Sequence, residues 1–212
     1  MKTETPILFQ ADMIRAILSG TKTQTRRIVK GQCKHCIIEE YDGKQMICRH
    51  CEHGSGYIKC RYDADELWVK ETFAIESNEN LQDVYTKPRN PLGPVIWNKD
   101  VYGSDFFVCP RYRANEPETI LGDDESGMKW KPSRFMPRWA SRIQLAVKKI
   151  RVERVQDITP FDCLAEGMSA TLNEIGLRYA YGQLWNQINE KRGFSWDSNP
   201  FVFVIEFERI KP

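Results

Sequence analysis

Between Gly20 and Arg27 the chain reads Gly-Thr-Lys-Thr-Gln-Thr-Arg-Arg. An amine held near an alcohol can take its proton and make it a nucleophile, provided that burial or a neighbouring cation lowers the amine pKa. Lys22 is the candidate base and Thr25 the candidate nucleophile. Arg26 and Arg27 beside them could hold a phosphate or another planar anion. The segment is not a P-loop: the upstream glycine of that motif is missing, and Thr21 separates Gly20 from Lys22. A plainer reading is a helix over Asp12–Leu18, closed by Gly20 in the left-handed region and followed by a solvated strand. In a flat strand Thr21, Thr23 and Thr25 share one face and Lys22, Gln24 and Arg26 the other. The Lys22–Thr25 dyad therefore requires a turn or twist here.

A second cluster suggests metal chemistry. Cys33-x-x-Cys36 and Cys48-x-x-Cys51 form two knuckles, each able to aim two thiolates at one tetrahedral ion. Four cysteine ligands imply a closed, structural zinc site within an inserted module at about 31–60, with a hairpin tip at Asp42-Gly43. His35, His50, His53 and Cys60 lie near enough to compete as ligands, and a redox CxxC pair or free thiols are the alternative. Reduced thiolates suit a cytoplasmic setting. Cys60, Cys109 and Cys163 read as buried packing residues.

These groups must be positioned by the flanking elements. Ile7–Phe9 reads as a short strand, and Met13, Ile14, Ile17 and Leu18 give Ala11–Leu18 a helical face. Leu67–Phe73 alternates so that Glu71 points inward with Leu67, Val69 and Phe73. A carboxylate there is costly unless paired, so Glu71 is either a site acid or a strand-end acid bonded to an arginine. Residues 77–135 read as a loop-rich insertion with one strand near Phe106–Arg113. Ser141–Val155 is β-rich, and its parity shifts before Ile150 as at a bulge. Thr159-Pro160 starts a short helix that ends near Glu166-Gly167. Leu172, Ile175, Tyr179, Trp185 and Ile188 predict a longer amphipathic helix over about 171–190. Phe201–Ile210 closes as an alternating strand.

A chain of 212 residues, 41% apolar and 28% charged, is most simply one globular domain. Its longest apolar run, Phe201–Ile205, is too short to span a bilayer, and the first six residues lack the apolar region of a secretory leader. The formal charge is only +2, but its distribution is uneven. Met13–Ile38 holds six basic residues and no acid; Met128–Val152 holds eight and no acid. Trp130, Phe135 and Trp139 are interleaved with the second group. Cations for phosphates and aromatic faces for bases describe a single-strand nucleic-acid surface, for which Arg26, Arg27, Lys70, Lys129, Arg138 and Trp139 are candidates. The alternative is a solvated basic face with its tryptophans in the core.

Strands at both ends and two helical stretches between them predict an α+β fold: a small mixed β-barrel with helices at its mouth and a functional cleft between them. The order of pieces resembles the ASCH domain family of the PUA-like superfamily. The resemblance rests on a helix followed by Gly-x-Lys-Thr-x-Thr-x-Arg, a Leu-Trp-Val-x-Glu strand, a helix ending in Ala-Glu-Gly and a final Phe-x-Val-Ile-Glu-Phe strand. Met136–Arg142 and Trp196–Pro200 look like a phage and prophage branch. The resemblance covers nearly the whole chain apart from the zinc module and parts of 77–135. It implies action on RNA or a modified nucleoside, most concretely hydrolysis of the amide of 4-acetylcytidine. In that chemistry Lys22 matches the base, Thr25 the nucleophile and Glu166 the acid, with Glu71 the alternative acid. Other members look like ribonucleases or plain RNA binders, so a metal-independent ribonuclease and a non-catalytic RNA or modified-base reader remain competing expectations. A protein-interaction role in phage particles also remains open.

Overall fold

The protein was analysed as a computed structural model, which describes residues 2–30, 32, 38–41, 45–48, 56–77, 96–99, 105–115 and 129–210; for 38–41, 45–48, 56–59, 76–77, 96–99 and 105–109 it describes the backbone alone. The fold is α+β. Its main sheet takes strands from both ends of the chain: β1 (Glu4–Leu8), β2 (Gln24–Ile28), β6 (Glu66–Lys70), β10 (Gln144–Arg154) and β11 (Phe201–Ile210), in the order β1-β6-β10-β11-β2. The β1–β6 pair is parallel and the rest are antiparallel. The β10–β11 register shifts between Val147 and Lys149, which is the bulge that the parity change predicts.

The period of two in β11 divides two cores. Phe203, Ile205 and Phe207 point toward Ile14 and Ile17 of α1 (Ala11–Ser19), together with Ile7, Leu67 and Leu145. Val202 and Val204 point the other way, onto Cys163 of α2 (Pro160–Ala165) and Leu177, Tyr181 and Trp185 of α3 (Glu174–Asn189). Helices thus cover both faces of β11 and β2.

The expected barrel is not closed among the described residues: the ladder is open, with β1 and β2 as its edges. Side chains bridge the seam instead. Arg27 of β2 donates from its guanidinium to the Leu8 carbonyl of β1 at 2.6 Å. Phe9 lies under that guanidinium at 5.1 Å and tilts against Phe207 at 6.2 Å.

Two small antiparallel sheets complete the fold. One joins β3 (Ile38–Tyr41), β4 (Gln45–Cys48) and β5 (Gly56–Lys59) in sequence order. Tyr41 stands opposite Gln45; the hairpin tip expected at Asp42-Gly43 lies outside the described residues. The zinc-ligand candidates Cys33, Cys36 and Cys51, and the Cys48 side chain, also lie outside them. The other sheet has the order β7-β9-β8, from β7 (Phe73–Ser77), β8 (Ile96–Lys99) and β9 (Asp105–Tyr112). The 77–135 stretch therefore holds more strand than its composition predicts. No helix among the described residues is long and apolar enough to cross a membrane.

The phase of α3 differs from expectation. Leu177, Tyr181, Gly182, Trp185 and Asn189 are buried, whereas Ile175 is 82% and Tyr179 70% exposed. A count of apolar residues overlooks what selects this face. Gly182 lets the Trp196 indole approach so closely that a Cβ would meet it at 3.3 Å, and the Trp185 indole N–H donates to the Phe194 carbonyl at 2.9 Å. Leu177→Ala should cost about 2–5 kcal/mol in urea unfolding, and Ile175→Ser and Tyr179→Ser each less than about 0.5 kcal/mol. The reverse order would restore the phase predicted from the apolar pattern.

Candidate functional site

The site begins where α1 stops. Gly20 adopts φ 81°, and the N–H groups of Thr21 and Lys22 both donate to the Ala16 carbonyl at 3.0 Å. This tight turn aims the chain across the end of α2. Thr23 N–H then donates to the Ala165 carbonyl at 2.8 Å, and Lys22 forms an isolated antiparallel bridge with Glu166. Strand β2 begins only at Gln24, so strict alternation does not run from Thr25 back to Lys22. Among the described residues the Lys22 ammonium donates to Glu166 alone, and no hydrogen bond joins it to Thr25.

Glu166 caps the C-terminus of α2, whose start is fixed by a Thr159–Asp162 capping box. Gly167 follows at φ 93°. A Cβ at Gly167 would lie 3.1 Å from that of Ala16 and 3.3 Å from that of Lys22, so glycine permits this approach. The Lys22 ammonium donates to the Glu166 carboxylate at 2.6 Å and to its main-chain carbonyl at 2.8 Å. The two side chains are 1% and 5% exposed. The second carboxylate oxygen accepts from Arg26 at 3.2 Å.

Arg26, fully buried, also pairs with Glu153 and with Asp162 at 3.3 Å. Arg151 extends this network to Asp162 at 2.8 Å, to Glu153 at 3.1 Å and to Glu206, and Gln24 donates to Asp162 at 3.1 Å. Arg26 is thereby committed to holding Glu166.

Beside this network lies a cavity of about 260 Å³, between α3 and the free edge of β2. Thr25, Arg27, Glu166, Tyr181, Trp185 and Phe203 help line it. Thr25 is 3% exposed, and its hydroxyl has no hydrogen-bond partner among the described residues. Opposite Thr25 and Arg27 across the ladder stand Ile205 and Phe203, so these two β2 residues share the α1 face. The Lys22 ammonium reaches the same side, 5.9 Å from the Phe9 ring that also lies under Arg27.

Burial pushes the Lys22 amine below its ordinary value of 10.5, outweighing the opposing pull of Glu166, and Arg27 and Arg26 add to the lowering. Burial, with the Glu166 charge, pushes the Tyr181 phenol well above 10.0 and keeps it a donor. Burial would also raise the Asp162 carboxyl; the bonds from Thr159 and Gln24 and the Arg26 charge prevail and hold it at about 2, against 3.8.

The other sequence candidates fall elsewhere. Glu71 is gripped by Arg142 through two bonds of 2.9 Å, with the guanidinium 3.9 Å above the Tyr112 ring; it is the paired strand-end acid. Lys70 packs over Trp68 at 5.4 Å, Arg138 pairs with Glu4 at 2.8 Å, Lys129 is exposed and Trp139 is 40% exposed. Among the described residues, no group of three or more His, Cys, Asp or Glu is placed to hold a metal ion. The sequence reading missed Tyr181, Glu153 and Asp162. Asp162 alone had a local signal, as the third residue after the Thr159 cap.

The depressed Asp162 pKa sets a direction. Its stabilising contribution is complete above about 3.8 and is lost as pH falls from there through about 2. Asp162→Asn should therefore lower the urea midpoint at neutral pH, with the gap to wild type closing near pH 2; a constant gap would exclude this linkage. No protein-family model, no curated protein and no solved structure matches the chain.

Proposed function

We propose that the chain is an ASCH-type hydrolase acting on RNA or a modified nucleoside, most concretely on the amide of an acylated cytosine such as 4-acetylcytidine. The observation that carries the reading is the buried Lys22–Glu166 pair, 2.6 Å long, beside a cavity lined by Thr25, whose hydroxyl has no partner among the described residues.

Burial favours loss of the Lys22 proton, which leaves a neutral amine positioned by Glu166. The amine takes the Thr25 proton as Oγ bonds to the amide carbon. The carbonyl π electrons move to oxygen, where the Tyr181 phenol or an Arg27 N–H donates to the oxyanion. Collapse breaks the C–N bond, and Lys22 returns the proton to the departing N4 amine. Water then attacks the threonine ester with Lys22 again as base, releasing acetate and free Thr25. Aromatic and apolar walls at Tyr181, Trp185 and Phe203 suit a base.

A reader of single-stranded RNA without catalysis is the second reading. It is favoured by Phe135 and Trp139, 61% and 40% exposed, on a surface that also carries Lys129, Arg134 and Arg138.

Thr25→Ala should lower 4-acetylcytidine hydrolysis by at least about 10²-fold with an unchanged thermal midpoint. Wild-type activity should rise with pH as Lys22 loses its proton, with an apparent pKa below 10.5. Unchanged turnover in Thr25→Ala would eliminate threonine catalysis. Salt-sensitive RNA binding without turnover by the wild type would favour the reader.

The zinc module and the cytoplasmic setting belong to the same proposal. Cys33, Cys36, Cys48 and Cys51 supply the thiolates. Metal analysis of the purified protein should give close to one zinc per chain, and less than about half would reject the module.

A further inference from the structure

We infer that the mouth of the cavity is a phosphate subsite, so that the substrate is a phosphate ester of the nucleoside, a nucleotide or a residue in an RNA strand, rather than the free nucleoside. This inference rests on the proposed cytosine chemistry for what fills the inner cavity, but not for the subsite itself.

Charge around the cavity is one-sided. Arg26, Arg27, Lys30, Arg61 and Arg192 line it, and Glu166 is the lone acid among the described lining residues. Glu166 is already satisfied by Lys22 and Arg26. The remaining cations lack carboxylate partners among the described residues. Arg61 stacks over the Tyr62 ring at 5.3 Å, and Arg192 donates to the Asn189 side-chain oxygen at 3.1 Å. Arg27 spends one nitrogen on the Leu8 carbonyl, while its Nε is buried and unbonded.

Depth orders these groups. Thr25, Glu166, Tyr181 and Trp185 are buried; Lys30, Arg61 and Arg192 are exposed. A ligand entering base-first would leave its ribose phosphate among the outer cations. Unpaired like charges around a partly enclosed space repel one another and raise the local potential for anions. Arginines elsewhere show both patterns: Arg138 meets Glu4, Arg142 meets Glu71 and Arg151 meets three acids, whereas Arg154, Arg178 and Arg209 donate to main-chain carbonyls. Guanidinium forks and a lysine suit phosphate oxygens.

The test is equilibrium binding, without hydrolysis, of cytidine, cytidine 5′-monophosphate, ribose 5-phosphate and a short oligoribonucleotide. The monophosphate should bind at least about tenfold more tightly than cytidine, with an advantage that shrinks as salt rises. Ribose 5-phosphate should compete with it. Arg61→Ala/Arg192→Ala, at two exposed positions, should abolish the advantage while keeping cytidine affinity and the thermal midpoint. A stronger gain with the oligoribonucleotide assigns the phosphate to a strand, and an equal one to a mononucleotide; either supports the subsite. Ribose 5-phosphate binding without any cytosine preference keeps the subsite and removes the cytosine reading. Equal affinities for cytidine and its monophosphate, no binding of either phosphate, or an advantage that survives the double substitution would overturn the subsite, even if deacetylation is observed.

Discussion

Lys22 and Glu166 are almost wholly removed from water, and their ion pair is the constraint on which the site depends. Burying two charges is expensive, and mutual attraction repays it only with good geometry and further hydrogen bonds. Both conditions are met. The ammonium also takes the Glu166 main-chain oxygen, and the carboxylate also takes Arg26. The pair fastens the end of α2 to the turn after α1, a junction that Gly20 and Gly167 make sterically possible. A fold needing only a strap here could use apolar side chains. Retaining a buried amine instead keeps Lys22 below its ordinary pKa while the carboxylate fixes its position.

Arg26 and Arg27 are neighbours in sequence and opposites in role. The period of two in β2 sends Arg26 toward α2 and α3, among Glu153, Asp162 and Glu166. It sends Arg27 to the α1 side, where Phe9, the Leu8 carbonyl and the cavity receive it. One arginine orients an acid; the other helps to hold the open sheet edges together and still offers an unbonded nitrogen.

Much of this was legible where the chemistry is local. Gly20 announced the helix end, Thr159-Pro160 the start of α2, and the parity change the bulge in β10. The Lys22–Glu166 encounter came from resemblance, because no local pattern links residues that far apart. The phase of α3 was misread because apolarity favoured Ile175 and Tyr179, whereas the packing of Trp196 on Gly182 decides which side is covered. Tyr181 was hidden by the same error. Glu71 looked like a site acid because its partner, Arg142, lies on a segment remote in sequence. Strand patterns reveal alternation and not whether two edges meet, so the open ladder among the described residues is invisible in them.

Lys22 and Glu166 are separated by 144 positions. During synthesis the amine leaves the ribosome long before its carboxylate exists, and β2 must also wait for β11 before it has a neighbour. Until then Lys22 is an ordinary solvated cation, and the cavity has no wall from α3. Any chemistry housed there waits for α3 and β11 to be synthesised, so products truncated before them would be inert.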